Sequence, residues 1–312
     1  MRQYSIKIIV FCFSLGVQLG SAKFPFFDSN TKFTFLDNDG NAKVHLLNTQ
    51  EMRFCYITFV IADGEKFLVK QKKSQFSRKL LSVVRDAVLA RLAEPWDMAH
   101  KVDIIPAGKE FPGKIRTDWP ATIHSIAPGK MIKELYGRYS RMNIKQGEIG
   151  FRLDMLQWMA KHEMLVFIVA FDTMFNNHDR HRGNLFYNPR RDTFCAIDMD
   201  SSFKYNLCSF AYNNFVRLLE HSYVKLSDKE LKALIMYKQH LELLIDKYPP
   251  KETIKLYEYF AVKAGFIPGS PLYTDKIVAE MGTNKKIIMQ SYEDVKRLVK
   301  ILEKCIKKWG HA

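Results

Sequence analysis

The sequence of 312 residues has few cysteines, five in all, and no two of them form a C-x-x-C pair. This absence, together with the lack of any other metal-ligand spacing, excludes the common structural zinc modules. The chain also lacks internal repeats, which excludes solenoids, and it lacks low-complexity tracts and any N-x-S/T glycosylation site. Its 13% aromatic residues argue against a largely disordered protein. It does contain 47% hydrophobic and 13% aromatic residues, enough to fill one large domain or two lobes.

Residues 1–22 have the layout of a secretory signal peptide. A basic start, MRQYSIK, is followed by the apolar run IIVFCFSLGVQLG and by small residues before Lys23. The run is shorter than the roughly 20 residues that a membrane span needs. We therefore expect export, and an ordinary N-terminal strand or an uncleaved anchor are the alternatives.

Four cysteines remain after that segment: Cys55, Cys195, Cys208 and Cys305. Two disulfides are possible in an oxidising compartment. The apolar strand pattern around Cys195 instead predicts a buried thiol at that position.

The chain is strongly basic. Its formal charge of +15 falls to +13 without residues 1–22, since Arg2 and Lys7 leave and no acidic residue does. Such a charge favours anionic partners, namely acidic proteins, acidic lipid headgroups at a membrane surface, or nucleic acid. The basic residues are scattered and form no nucleic-acid-binding signature, so nucleic acid is the least favoured of these partners.

The front of the chain is dominated by β-type runs. Strands are predicted at 32–39, 42–47, 52–62 and 66–72, and the last two form a hairpin around Asp63-Gly64. Apolar residues spaced by three and four predict a helix over about 77–92, with Ser77 as its N-cap. A strand at Val102–Ile105 follows, and an apolar strand is broken by Pro128-Gly129.

The rear of the chain has mostly helical patterns. Two short apolar strands, 183–188 and 193–200, bracket a turn at Pro189–Asp192, and the run from Met164 to Phe171 suits a buried helix. Two capping boxes, Ser227 with Glu230 and Ser291 with Asp294, are predicted to open late helices. The fold class is therefore α+β, with a β-rich N-lobe at 23–127 and a mainly helical C-lobe at 128–312.

Residues 171–203 hold the groups best suited to chemistry. A buried helix ends near Phe175, a polar loop follows, and two short strands deliver Asn184 and Asp198 toward that loop. We therefore expect the carboxylates of Asp179 and Asp198 and the amide of Asn184 to converge beside an Arg/His-rich segment. Such oxygen donors suit Mg²⁺ bridged to phosphate.

This segment resembles the catalytic core of protein-kinase-like enzymes, in which Asp-x-x-x-x-Asn is followed by a metal-binding Asp. The variant Asp179-Arg180-His181, with an Ile-Asp pair ending at Asp198, resembles the atypical branch, as do Phe171, Asp172 and Asn177. That branch includes phosphatidylinositol 3- and 4-kinases, actin–fragmin kinases and HipA-type kinases. The resemblance implies a two-lobed kinase-like fold that uses ATP with Mg²⁺ or Mn²⁺.

The resemblance also implies roles for individual residues. Asp179 would orient or deprotonate the attacking hydroxyl, and His181 would assist it. Asn184 and Asp198 would hold the metal, with Asp200 as an auxiliary ligand.

A kinase also needs a strand lysine for the phosphates and a helix carboxylate to fix that lysine. Lys70 ends a predicted strand and Asp86 lies on the following helix. Asp is a departure from the usual Glu, and Glu94 is the alternative partner. Lys72 shares a strand face with Lys70, so their roles could be exchanged.

Two further segments resemble kinase elements less closely. The stretch from Ile123 to Gly129, including Ile126, resembles the hinge whose backbone reads adenine. The link from Asn48 to Met52 stands where a phosphate-covering loop would be, and Thr49 there could cap phosphate oxygens, although an ordinary hairpin turn fits equally. The G-x-G-x-x-G fingerprint and the Ala-Pro-Glu motif are absent, which favours the atypical branch.

The favoured function is thus an exported Mg-ATP-dependent kinase acting on a hydroxyl of a protein or a phosphoinositide. AMP transfer on the same fold, a non-catalytic pseudokinase and a basic anion-binding protein are the alternatives. Export leaves two settings with ATP, another cell entered as an effector, or a secretory lumen, which the missing glycosylation site disfavours.

Overall fold

The computed structural model describes residues 44–52, 55–62, 65–73, 80–111, 114–132, 159–177, 179–180, 183–203 and 226–309. These residues belong to one compact unit that begins at Val44. Several sequence expectations lie outside the described residues: the signal peptide at 1–22, the strand at 32–39, the turn Asp63-Gly64, the cap Ser77, His181 and Cys208.

Five antiparallel strands form the front sheet. They are β1 Val44–Glu51, β2 Cys55–Ala62, β3 Glu65–Lys72, β4 Val102–Ile105 and β5 Ala121–Ser125, in the spatial order β1-β2-β3-β5-β4. The predicted hairpin is confirmed, because β2 and β3 pair from Ala62 with Glu65 onward. The register also sets Lys70 opposite Thr122, so their side chains share one face of the sheet.

The link predicted at Asn48–Met52 is wrong in its position. Strand β1 continues to Glu51, and Thr49 pairs with Thr58 of β2. The connection begins only at Met52, whose amide donates to the carbonyl of Cys55 over 2.9 Å. Polar residues at this end of β1 still satisfy the ladder, since pairing uses backbone groups that every residue here supplies.

Helix α1, Ser82–Ala93, confirms the helix predicted for the front half, and it is buried along almost its whole length. The sequence VVRDAVLA is apolar on several sides, which suits a helix enclosed between other elements. A single 3₁₀ turn, Glu94–Trp96, follows it and contains Pro95, which cannot continue an α-helix.

The rear half combines a small sheet with four helices among the described residues. The sheet contains β6 Lys130–Met131, β7 Leu185–Asn188 and β8 Thr193–Ala196. The helices are α2 Glu163–Met174, α3 Asp228–Lys247, α4 Pro250–Ala264 and α5 Asp275–Trp309. The expected α+β architecture, a β-sheet region followed by a helical C-terminal part, is confirmed, whereas the lobe bounds 23–127 and 128–312 stay a prediction.

The two predicted capping boxes have different outcomes. Ser227 and Glu230 form a reciprocal box at the start of α3, as predicted. Ser291 and Asp294 do not open a helix, because both lie inside α5. Buried Ser291 instead donates from Oγ to the carbonyl of Met174, at 2.7 Å, and so joins α5 to the end of α2.

Gly129 marks a close approach between the two halves of the chain. Its φ of +94° is in the left-handed region, and a Cβ built there would be 2.4 Å from the carbonyl oxygen of Tyr187 in β7. Any other residue would collide with that backbone, so the predicted break at Pro128-Gly129 has a steric reason.

Three of the cysteines are described, Cys55, Cys195 and Cys305, and all three are buried. The prediction of a buried thiol at Cys195 is confirmed, and burial raises its pKa to about 12. Among the described residues, no helix combines the length and apolar character needed to cross a bilayer.

Candidate active site

The polar loop after α2 is organised by Arg180, which is buried. Its guanidinium donates to both carboxylate oxygens of Asp172, with Nε–Oδ2 at 2.8 Å and Nη2–Oδ1 at 3.0 Å. The Nη1 atom donates to the carbonyls of Asn184 and Ile197, at 2.6 and 2.8 Å. Burial lowers the pKa of Arg180, the charge of Asp172 raises it, and the net shift is upward. Arg180 thereby joins helix α2 to the residue before β7 and to the residue after β8.

Asp179 and Asn184 lie together at the mouth of that hairpin. The side chain of Asn184 donates from Nδ2 to the carbonyl of Asp179 over 2.9 Å. The backbone amide of Asp179 in turn donates to Oδ1 of Asn177, at 3.4 Å. Asn177 is itself held by Asp172, so the loop is anchored to the last turns of α2.

Asp198 and Asp200 meet the lysines of the front sheet. Lys70 forms ion pairs with Asp198 and with Asp200, the latter at 3.2 Å, and Lys72 pairs with Asp200. Burial lowers the pKa of Lys70, but Asp198 and Asp200 raise it, and the net pKa lies well above the usual range. Burial raises the pKa of Asp200, Lys70 and Lys72 lower it, and the net pKa is well below its usual range. Lys70 therefore stays charged and Asp200 stays ionised.

Side chains of helix α1 also contact this segment, but they bind its backbone rather than its carboxylates. Oδ1 of Asp86 accepts the amide of Met199 at 3.1 Å, and Nε of Arg85 donates to the carbonyl of Asp200 at 2.7 Å. Burial raises the pKa of Asp86 to about 7, although the charge of Lys70 lowers it. Lys70 thus forms its ion pairs with the rear segment, and the alternative partner, Glu94, pairs with Arg91.

A pair of buried histidines, His100 and His124, lies near the charge of Lys70. The Nδ1 atom of His100 is 3.3 Å from the carbonyl of Ala196, and its Nε2 is 2.7 Å from Nδ1 of His124. Nε2 of His124 is 2.7 Å from Oγ1 of Thr122. A carbonyl only accepts, so the first bond makes His100 the Nδ1–H tautomer and leaves its Nε2 to accept from His124. Burial lowers the pKa of both rings, that of His100 to about 4, so both imidazoles stay neutral.

The remaining predicted positions are less closely involved. Ile126 follows strand β5 and is exposed, at the place expected of a hinge. The main chain of Thr49 lies within strand β1. Arg85, His100 and His124 have no role predicted from the sequence, and Arg180 has none of its own. The partners of Arg85 and His100 are 24 to 115 residues away, and two of the partners of Arg180 are backbone carbonyls, which residue spacing does not reveal.

The donor set fits a cation that arrives with phosphate. The side chain of Asp198 is 34% exposed, and the bond from Nδ2 of Asn184 leaves that amide's oxygen as its coordinating atom. The described residues hold no group of three or more His, Cys, Asp or Glu arranged around one metal position. Mg²⁺ is commonly held by one or two carboxylates plus substrate phosphates, so this set suits a nucleotide-bridged cation better than a structural ion.

No protein-family model and no curated protein sequence matches the chain. Among solved structures, the crystal structure of the Helicobacter pylori proinflammatory kinase CtkA is similar, with a TM-score of 0.46 and 9% sequence identity. The match covers 85% of this chain and 96% of that chain. A likeness of this size is too weak to assign a fold or an activity.

Proposed function

We propose that the protein is a Mg-ATP-dependent phosphotransferase. The observation that supports this most directly is the ion pairing of Lys70, from the front sheet, with Asp198 and Asp200, from the segment that follows the rear hairpin. Asn184 lies at the mouth of the same hairpin, and its side chain donates a hydrogen bond to the carbonyl of Asp179. In phosphoryl transfer a lysine binds the triphosphate, two or three oxygen ligands hold the cation, and a carboxylate faces the acceptor hydroxyl.

The oxygens of Asn184, Asp198 and Asp200 would hold Mg²⁺ or Mn²⁺, which when bound neutralises charge on the phosphate oxygens. Lys70 would bind phosphate oxygens as a permanent cation, consistent with its raised pKa. Its present ion pair with Asp198 would then separate, because each partner takes an opposite charge from the incoming Mg-ATP. The acidic and basic residues therefore neutralise each other before the substrate enters.

Asp179 would serve as the base for the acceptor. The acceptor oxygen forms a bond to the γ-phosphorus, the bond from that phosphorus to the bridging oxygen of ADP breaks, and the hydroxyl proton passes to the Asp179 carboxylate. His181, by resemblance, would assist at the same loop. The acceptor is a hydroxyl of a protein or a phosphoinositide, and the basic charge of the chain, +15 in full and +13 without residues 1–22, favours an acidic acceptor or an anionic membrane surface. Export as an effector, or into a secretory lumen, remains part of the proposal.

The test is nucleotide binding measured by thermal shift and by calorimetry, followed by transfer of label from ATP. Mg-ATP should raise the melting temperature, because it binds only the folded state. Lys70→Ala and Asp198→Ala should remove this stabilisation, whereas Lys66→Ala, a change at an exposed residue on the same strand, should keep it. Asp179→Ala should retain ATP binding and lose transfer.

Other results would point elsewhere. Equal stabilisation by ATP, GTP, heparin and polyphosphate without metal, cancelled by moderate salt, would contradict the proposal and indicate a basic anion-binding protein. Transfer of label from the α-phosphate rather than the γ-phosphate would indicate AMP transfer. Metal-dependent ATP binding with no transfer to any protein or phosphoinositide would indicate a pseudokinase.

A further inference from the structure

Two consecutive residues of helix α1 grip the segment that carries Asp198 and Asp200. Oδ1 of Asp86 accepts the Met199 amide at 3.1 Å, and Nε of Arg85 donates to the Asp200 carbonyl at 2.7 Å. Both side chains are almost completely buried, Asp86 at 1% and Arg85 at 2% exposure. Buried polar contacts of this kind are costly to break, because water cannot replace the lost partner.

The backbone between these two contacts and β8 is in an unusual conformation. Asp198 has a φ of 55°, in the left-handed region that residues other than glycine seldom occupy. Its neighbour Ile197 is fixed on the other side, because its amide donates to the Asn184 carbonyl at 3.1 Å and its carbonyl accepts from Arg180. A conformation of this kind persists only when the surrounding contacts determine it, so the two α1 contacts complete the set that holds Asp198.

A helix carboxylate beside a strand lysine has two possible roles, and they differ in the property that is used. If Asp86 fixes Lys70, its negative charge is essential. If it fixes the backbone of Met199, only an acceptor oxygen is essential. In the structure Lys70 pairs with Asp198 and Asp200, while Asp86 accepts from Met199.

We propose that Arg85 and Asp86 are positioning residues that act through the backbone of residues 199–200 to direct the Asp198 carboxylate toward Lys70. Asp86 fills this role as a hydrogen-bond acceptor whose charge is not needed, rather than as the counter-charge of Lys70. The part of this inference that concerns the cation rests on the proposed function. The part that concerns the backbone does not.

The substitution Asp86→Asn separates the two roles, because Asn keeps Oδ1 and the side-chain volume and removes the charge. Hydrogen exchange of the Met199 amide, measured without nucleotide, should change by less than 3-fold in Asp86→Asn. In Asp86→Ala it should become at least 10-fold faster, since the acceptor is gone. The Mg²⁺ concentration needed for half-maximal ATP binding should follow the same order, near wild type for Asn and at least 10-fold higher for Ala.

A matched control excludes general loss of stability as the cause. Asp103→Ala removes a carboxylate of β4 whose Oδ1 pairs with Lys263 at 2.6 Å, away from the Asp198 segment. This variant should loosen its own surroundings and leave the exchange of the Met199 amide within 3-fold of wild type. If Asp86→Ala does not fold, Asp86→Asn alone still decides between the two roles.

The inference is overturned if Asp86→Asn raises the exchange rate or the Mg²⁺ requirement 10-fold, because the charge would then be the essential property. If wild type shows no Mg²⁺-dependent ATP binding, the proposed function fails. The exchange measurements then stand by themselves: 10-fold acceleration in Asp86→Ala with none in Asp86→Asn supports the backbone contact, and equal rates in both variants reject it.

Discussion

Arg180 places four hydrogen bonds in a buried site, and each has a partner that cannot be replaced by water. Two go to the Asp172 carboxylate and two to the carbonyls of Asn184 and Ile197. A guanidinium is planar and presents its donors in a fixed fork, whereas an ammonium is a compact point donor. The residue therefore acts by shape as well as by charge.

Arg180→Lys is expected to lower the free energy of unfolding by about 2–4 kcal/mol, because the carboxylate and two carbonyls cannot all be satisfied by one ammonium. Urea denaturation followed by circular dichroism measures this change. Arg190→Lys provides the control, since Arg190 lies exposed in the turn between β7 and β8. A loss for Arg180→Lys no larger than that of the control would show that charge alone suffices.

Single residues are predictable from the sequence where the relevant spacing is short. The strand pattern predicted a buried thiol at Cys195, and the 14 positions between Asn184 and Asp198 follow from a hairpin that the structure also contains. The contacts of Asp86 were beyond prediction, because its partner Met199 is 113 residues away and contributes only an amide. Side-chain type cannot reveal which distant backbone group a carboxylate will meet.

Among the elements, the end of helix α2 receives support from two of the later helices, α3 and α5. Tyr237 of α3 donates to Oγ1 of Thr173 at 2.9 Å, and Ser291 of α5 donates to the Met174 carbonyl at 2.7 Å. The last carbonyls of a helix have no partner within it, so the second contact satisfies one of them. The C-terminal helices thereby hold the point from which the polar loop 175–180 begins.

Ser291→Ala should lower the free energy of unfolding by about 1–2 kcal/mol, because a buried carbonyl then loses a donor. Thr283→Ala on the same helix is the matched comparison, since Thr283 is exposed and donates only within α5, to Ala279. Thermal and urea unfolding of both variants measure the difference. Equal stabilities for the two would mean that the Ser291 hydroxyl contributes nothing to holding α2.

Local patterns were informative for elements wherever neighbours in sequence are neighbours in space. The β-type runs on either side of Asp63-Gly64 predicted the β2–β3 hairpin, and a three-four repeat predicted α1. The same local pattern misled at Ser291 and Asp294, since a capping box requires an extended residue before the helix, and here the helix had begun at Asp275. Nothing within that four-residue window distinguishes the start of a helix from its middle.

At the scale of the whole molecule, the front sheet and the rear hairpin meet at β8. The amide of Ala196 donates to the Met98 carbonyl at 2.7 Å, and its carbonyl faces Nδ1 of His100. His100 continues through His124 into strand β5. Two neutral imidazoles thus bridge the two sheets in a place where burial opposes any added proton.

These pKa shifts make the stability of the contact between the two sheets depend on pH. The pKa of His100 is lowered from 6.5 to about 4, so its stabilising effect is full above pH 6.5 and is lost as pH falls toward 4. The shift of His124 has the same sign. Asp86 acts in the opposite direction, because its pKa is raised from 3.8 to about 7 and its contribution is lost as pH rises through that value.

The expected result is that the stabilising advantage of wild-type His100 over His100→Gln shrinks on acidification. Gln can still donate and accept but does not titrate, so the variant lacks the loss of stability that His100 causes below pH 6.5. Between pH 7 and pH 5 the difference in unfolding free energy should change by about 2 kcal/mol, given roughly 1.4 kcal/mol per pKa unit.

Both proteins should carry Asp86→Asn, which removes the opposing titration, and urea denaturation at each pH supplies the free energies. The charged groups around the ring, Lys70, Asp198 and Arg180, are present in both proteins. A difference that stays constant between pH 7 and pH 5 would show that His100 takes up protons equally in the folded and unfolded chain. That result would contradict the conclusion that a neutral His100 bridges the two sheets.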